Sequence, residues 1–78
     1  MSFTIYSTSW CGPCKRLKRQ LAELNITFQE IDIEQDEAVA IRYGIRGVPT
    51  MVLLDAAGNE LKRKVGTMNE QELLEFAA

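Results

Sequence analysis

The chain carries two cysteines, and both stand in the stretch STSWCGPCKRLKRQL: Cys11 and Cys14, with only Gly12 and Pro13 between them. Two thiols at i and i+3 of a helix start occupy neighbouring positions on one face. Sulfurs so placed can close a small disulfide ring or share a metal ion. Position gives them unequal chemistry. Cys11 precedes the predicted helix, where its sulfur can meet the first unpaired backbone N–H groups and the positive end of the helix dipole. A helix N-terminus lowers a thiol's pKa, and the thiolate is the nucleophile. Cys14 lies one turn in, on an apolar stripe with Leu17 and Leu21, and burial raises a thiol's pKa. These positions predict an exposed, attacking Cys11 and a buried Cys14 that resolves the mixed disulfide.

The neighbours of the pair admit two readings each. Trp10, the single tryptophan, is either a half-buried packing residue or a contact surface beside the thiol. Lys15, Arg16, Lys18 and Arg19 are either a solvated helix face or a positive field that assists the Cys11 thiolate or draws an acidic partner. Lys18 lies next to the Cys14 stripe by helical angle. The chain has no histidine, which excludes two-Cys-two-His metal sites and Cys–His proteases. Any proton acceptor for Cys14 is then a carboxylate or water. Glu30, in TFQEIDI, is the candidate acceptor, set against the plainer reading of a solvent-facing strand residue.

The elements that must hold these residues alternate along the chain. FTIYS, Phe3 to Ser7, is rich in β-formers and predicts a strand. A helix follows from about Pro13, which suits a first-turn position, to Leu24, with Asn25 ending it. Thr27 to Ile33 predicts a second strand. Asp36 to Tyr43 predicts a short helix closed by Gly44. Thr50 to Asp55 reads as a strand buried on both faces. AAGN turns the chain into Glu60 to Val65, an edge strand. Asn69 caps a last helix carrying Leu73, Leu74 and Phe76. The order is β-α-β-α-β-β-α. It predicts a four-stranded mixed sheet with helices on both faces, and an active loop after the carboxyl end of the first strand.

At 78 residues with 46% hydrophobic side chains, one domain spanning residues 1–78 is expected, with a core that needs no staples. A formal charge of −2 gives no support to nucleic-acid or anionic-membrane binding. No stretch approaches the ~20 apolar residues of a membrane span, and the N-terminus lacks a signal-peptide pattern. A cytoplasmic monomer is expected. There a CxxC pair is more often catalytic or metal-binding than structural.

WCGPCK, Trp10 to Lys15, YGIRGVPT, Tyr43 to Thr50, and KVG, Lys64 to Gly66, resemble in order and spacing the motifs of the thioredoxin superfamily. The resemblance spans nearly the whole chain and implies a minimal thioredoxin fold. It implies a cis peptide at Val48–Pro49 facing the thiols. It also implies a substrate-docking surface built from Trp10, Gly12, Pro13, Val48, Pro49 and Gly66, with Val48 backbone groups pairing an extended target. The chain departs from thioredoxins in lacking room for an extra first strand and helix. Its size and opening are more similar to glutaredoxins, NrdH-type redoxins and mycoredoxins. Where many thioredoxins carry a buried aspartate, it has Ile5, and a lysine that often accompanies that aspartate aligns with Glu30. The Gly-Gly and Asp that glutaredoxins use for glutathione have no clear counterpart after Gly66.

The resemblance implies a dithiol–disulfide oxidoreductase acting on disulfide-containing proteins. No bound cofactor is expected. NADPH would serve indirectly through a thioredoxin reductase, or a low-molecular-weight thiol such as glutathione or mycothiol would recharge the pair. Ribonucleotide reductase is a target by family analogy. Two other classes stand beside this reading: a dimer sharing a metal or iron–sulfur cluster on four thiolates, and a docking module that keeps the fold without the chemistry.

Overall fold

A computed structural model describes residues 2–77. Its elements run β1 (Ser2–Ser7), α1 (Gly12–Glu23), β2 (Gln29–Asp32), α2 (Glu37–Arg42), β3 (Thr50–Leu54), β4 (Glu60–Val65) and α3 (Glu70–Ala77). The strands form one sheet in the order β2-β1-β3-β4. β1 pairs β2 in parallel and β3 antiparallel, and β3 pairs β4 antiparallel. This is the predicted order and the predicted mixed sheet.

Strand alternation divides the core. Ile5 and Met51 stand opposite each other on one face and pack with Leu17 and Leu21 of α1 and with Met68 and Leu73 at α3. Tyr6 and Val52 point to the other face, where they meet Ile45 and the partly buried Val39 and Ala40 of α2. Helices therefore cover both faces, with α1 and α3 on one and α2 on the other. β3 lies between two strands and is buried along most of its length, while β4 is an exposed edge strand. Its lysines discourage further strand pairing, and Lys62 Nζ rests 4.9 Å from the centre of the Phe76 ring.

The helix ends follow local chemistry. Asn25 takes a left-handed φ of 57°. The Ile26 N–H then returns to the Leu21 carbonyl at 2.9 Å and the Asn25 N–H to the Ala22 carbonyl at 3.1 Å, a Schellman closure. Gly44, φ 65°, closes α2 in the same way, with the Ile45 N–H on the Ala40 carbonyl. Asn69 and Glu72 cap α3 reciprocally: Asn69 Oδ1 accepts from the Glu72 N–H at 2.8 Å and Glu72 Oε1 from the Asn69 N–H at 3.1 Å.

β2 is shorter than the expected Thr27 to Ile33. Its pairing with β1 begins only at Thr4 opposite Gln29. At the far end the Asp32 carboxylate accepts the Glu34 N–H at 2.9 Å and turns the chain away. β3 likewise stops before Asp55, whose carboxylate accepts the N–H groups of Ala57 and Asn59 and closes the turn into β4. Among the described residues no helix is long and apolar enough to cross a membrane.

Candidate active site

β1 ends at Ser7, and the chain turns through Thr8, Ser9 and Trp10 into α1. Cys11 is the N-cap of that helix, with an extended backbone at φ −83° and ψ 106°. Its Sγ accepts the Cys14 N–H at 3.0 Å. Its own N–H donates to the Thr8 carbonyl at 3.3 Å, and its carbonyl accepts the Lys15 N–H. Pro13 sits in the first turn, where the lack of an N–H leaves no bond unmade. Cys11 and Cys14 form a disulfide, with their Cα atoms 5.2 Å apart. Cys14 shares its buried stripe with Leu17 and Leu21, so the core of the α1 face holds the redox pair directly.

The expected exposure of Cys11 requires a correction. Its residue is 3% exposed and Cys14 is 0%. The capping geometry turns the Cys11 sulfur inward onto the Cys14 N–H and the Cys14 sulfur, and away from solvent. Trp10, in contrast, is 71% exposed. It is not a half-buried packing residue; it stands in solvent directly before Cys11. Gly12 and Pro13 are also exposed, and a Cβ added at Gly12 would meet open space.

The second predicted segment reaches the same end of the sheet. Tyr6 stands opposite Thr50, so Pro49 lies one step on, beside the end of β1 where the redox loop begins. The Val48–Pro49 bond is cis. Thr50 Oγ1 donates to the Gly47 carbonyl at 2.6 Å and ties the loop down. The Gly66 N–H donates to the Pro49 carbonyl at 2.8 Å. Gly66 has a φ of +93°, a conformation that L side chains rarely adopt, which accounts for glycine there. Pro49 is fully buried and Val48 half-buried.

Glu30 stands opposite Ile5 and so shares the α1 face of the sheet. Its carboxylate pairs with Lys18 Nζ, the side chains being 40% and 31% exposed. The same oxygen accepts from Ser7 Oγ at 3.3 Å. Glu30 is thus neither a free surface residue nor a buried acid. A polar cavity of about 220 Å³ lies here, lined by Ser7, Thr8, Ser9, Lys18, Glu30 and Asp32. Thr8 Oγ1 is buried with no partner, and the space beside it has room and polar groups enough for water. Ile5 itself is 0% exposed and packs into the apolar cluster of Leu17, Leu21, Met51 and Leu73.

Two contributors were not visible in the sequence. Glu34 Oε1 accepts from the N–H and Oγ of Ser9 at 3.3 and 3.2 Å, pinning the loop before the cysteines. Ser7 reaches Glu30 in the same way. Both bonds join residues more than 20 positions apart, and only the strand register, once known, could have paired them. Among the described residues no cluster of three or more His, Cys, Asp or Glu side chains could hold a metal ion.

A vicinal cysteine pair at a helix start, placed at the end of a four-stranded mixed sheet beside a cis-proline, defines a dithiol redox protein of thioredoxin architecture. The comparisons agree. The thioredoxin family profile matches residues 3–78, and the chain belongs to that family. It is 43% identical over 56 residues to the SPbeta prophage-derived thioredoxin-like protein YosR of Bacillus subtilis, covering 72% of this chain and 70% of that one. It is 43% identical over 61 residues to a protein of Mycobacterium tuberculosis named as a glutaredoxin, covering 72% of this chain and 73% of the other. A mutant thioredoxin from Halobacterium salinarum superposes with a TM-score of 0.82 at 33% identity, over 96% of this chain and 69% of that chain. The chain is a thiol–disulfide oxidoreductase.

Proposed function

We propose that the protein reduces disulfides in other proteins, with Cys11 as nucleophile and Cys14 as resolving thiol. The observation that carries this reading is the N-cap geometry, in which Cys11 Sγ accepts the Cys14 N–H at 3.0 Å. Both sulfurs are buried in the disulfide, so the assignment rests on the cap position: once the disulfide opens, the Cys14 N–H and the helix dipole favour a thiolate at Cys11 and not at Cys14. That thiolate attacks one sulfur of a target disulfide; the target S–S bond breaks and its other sulfur leaves as a thiolate that takes up a proton. Cys14 then gives up its proton, attacks Cys11 Sγ and expels the second target thiolate. Two electrons pass to the target, and the Cys11–Cys14 disulfide remains.

Glu30 serves as the acceptor for the Cys14 proton, reached through water in the cavity at Thr8. Trp10, Gly12, Pro13, Val48, Pro49 and Gly66 form the target's docking surface, with Val48 offering backbone groups to an extended segment. The protein works in the cytoplasm, and an NADPH-dependent thioredoxin reductase recharges the pair. The relative named as a glutaredoxin supports a second reading of the donor alone, a low-molecular-weight thiol. Coupled assays separate them: NADPH, thioredoxin reductase and insulin in one, and glutathione or mycothiol with a mixed-disulfide substrate in the other. Turnover only in the second assigns the thiol donor.

The roles of the two cysteines are tested by trapping. Cys14→Ser should accumulate a stable mixed disulfide with a target, and Cys11→Ser should form none. Accumulation with Cys11→Ser instead would reverse the assignment.

A further inference from the structure

The three helices treat their dipoles differently. α2 opens with Glu37 and ends with Arg42, and α3 opens with Glu70 and Glu72. These placements suit the positive N-terminal and negative C-terminal ends. α1 has no acidic residue in its first turn. It sets Lys15 and Arg16 directly after Cys14, and Lys18 and Arg19 follow. Lys18 is neutralised by Glu30. Lys15, Arg16 and Arg19 are exposed, and among the described residues none of them makes an ion pair. Lys15, at the end of the first turn, meets the positive end of the helix dipole, and no ion pair offsets it.

Geometry joins these charges into one face. At ~100° per residue, Lys15, Arg16 and Arg19 lie on the side of α1 opposite the buried stripe of Cys14, Leu17 and Leu21. They continue the surface begun by exposed Gly12 and Pro13, next to Trp10. The chain as a whole is acidic at −2, so a cationic face at this end is not a by-product of composition.

We infer that this face selects the protein's targets: it docks proteins whose reducible disulfide is flanked by aspartate and glutamate side chains. The inference rests on the redox reading above and names the partner class for that same site. Charge complementarity carries it, since a positive surface beside a reacting centre steers an acidic partner and repels a basic one. A membrane surface fits less well. Leu17 and Leu21 are 0% exposed in the core, which leaves α1 no apolar side to enter a bilayer. Nucleic acid fits less well too, because three cations neutralise few phosphates and the face borders a disulfide.

The test uses the full chain, chemically reduced, in single turnover, so no electron donor enters. Two synthetic peptides share one disulfide loop and differ only in flanks, acidic in one and lysine in the other. A small neutral disulfide is the third substrate. The acidic peptide should react about tenfold faster than the basic one at low salt, and the ratio should fall toward one as salt screens the charges. In the triple variant Lys15→Glu, Arg16→Glu, Arg19→Glu the ratio should invert. Because the readout is a ratio within each protein, any change in intrinsic thiol reactivity cancels. Equal rates for the two peptides with the unsubstituted chain would overturn the inference, as would retention of anionic vesicles or DNA with no discrimination between peptides. Failure to reduce even the neutral disulfide would instead overturn the redox reading.

Discussion

Replacing Glu30 with glutamine separates proton transfer from structure. The substitution keeps the side chain's length and one carbonyl acceptor for Ser7 Oγ, and removes the charge. Both partners of the Lys18–Glu30 pair are partly in water, at 31% and 40% exposure, so the pair ranks with surface ion pairs at about 0.2–1 kcal/mol. Melting should therefore fall by no more than about 4–8 °C. The chemistry should respond far more. A positioned general base supplies about 10²–10⁴-fold. Solvent can replace part of this, since the Glu30 side chain is 40% exposed, so the Cys14-dependent release of target should slow about ten- to a hundredfold.

The sign of the change discriminates between mechanisms. The titratable groups around Glu30 are Lys18 from α1 and Asp32 from its own strand; β1 presents only Ile5 and Ser7 there, because Tyr6 points to the other face. If Glu30 acted only through its field, deleting a negative charge near the thiols would favour thiolate and speed the reaction. If it accepts the proton, the reaction slows. Lys18→Met is the control, since it breaks the same ion pair and keeps the carboxylate. Stopped-flow release of target thiol, measured from about pH 5 to about pH 9, reads both variants. Release by Glu30→Gln that is unchanged or faster at every pH would refute the role of Glu30.

Two further outcomes are expected. Leu17, 0% exposed beneath the redox pair, should cost about 2–5 kcal/mol when cut to alanine, a large share of the about 4–12 kcal/mol available to a chain of this length; an unfolding free energy from urea titration within about 1 kcal/mol of the parent would contradict the packing of α1. On the acid side, the Asn59 backbone N–H holds the Asp55 carboxyl below its usual range, and the Arg63 guanidinium does the same for Glu60. Depressed carboxyl pKa values give stability that is present above the unfolded value of about 4 and lost as pH falls through the folded values. Asp55→Ala should thus be less stable than the parent at neutral pH and converge with it in acid, as read from urea midpoints across pH.

What the sequence made legible was local or periodic. Asn25, Gly44 and Asn69 ended or capped helices as expected because each acts through bonds to residues within a few positions. The stripe of Cys14, Leu17 and Leu21 was readable from helical spacing, and the buried β3 from its apolar run. The cysteine site was readable because a CxxC pair at a helix start has few uses. Other features were settled by tertiary contacts. The burial of Cys11 depends on how its capping geometry turns the sulfur. The length of β2 depends on where β1 begins to pair with it. Arg63 reaches the Tyr43 carbonyl at 2.9 Å and the Gly44 carbonyl at 3.4 Å across about 20 residues, a link that no local pattern encodes.

Ile5 connects the fold to the proposed mechanism. A carboxylate at that position would sit among Leu17, Leu21, Met51 and Leu73, all 0% exposed. An isolated charge there would be driven to neutralise, or would cost several kcal/mol. In a chain with about 4–12 kcal/mol in total, that is a heavy penalty. Isoleucine keeps the support under α1 apolar and continuous, which favours a firm seat for the two cysteines. The carboxylate proposed for the mechanism stands one strand outward, at Glu30 on the sheet edge, where solvent and Lys18 share its charge. The separation has a mechanistic consequence. On the proposed mechanism the proton of Cys14 reaches Glu30 by way of the polar cavity at Ser7 and Thr8 and not through the apolar core. Proton transfer in this protein should therefore be sensitive to the lining of that cavity and insensitive to the packing around Ile5.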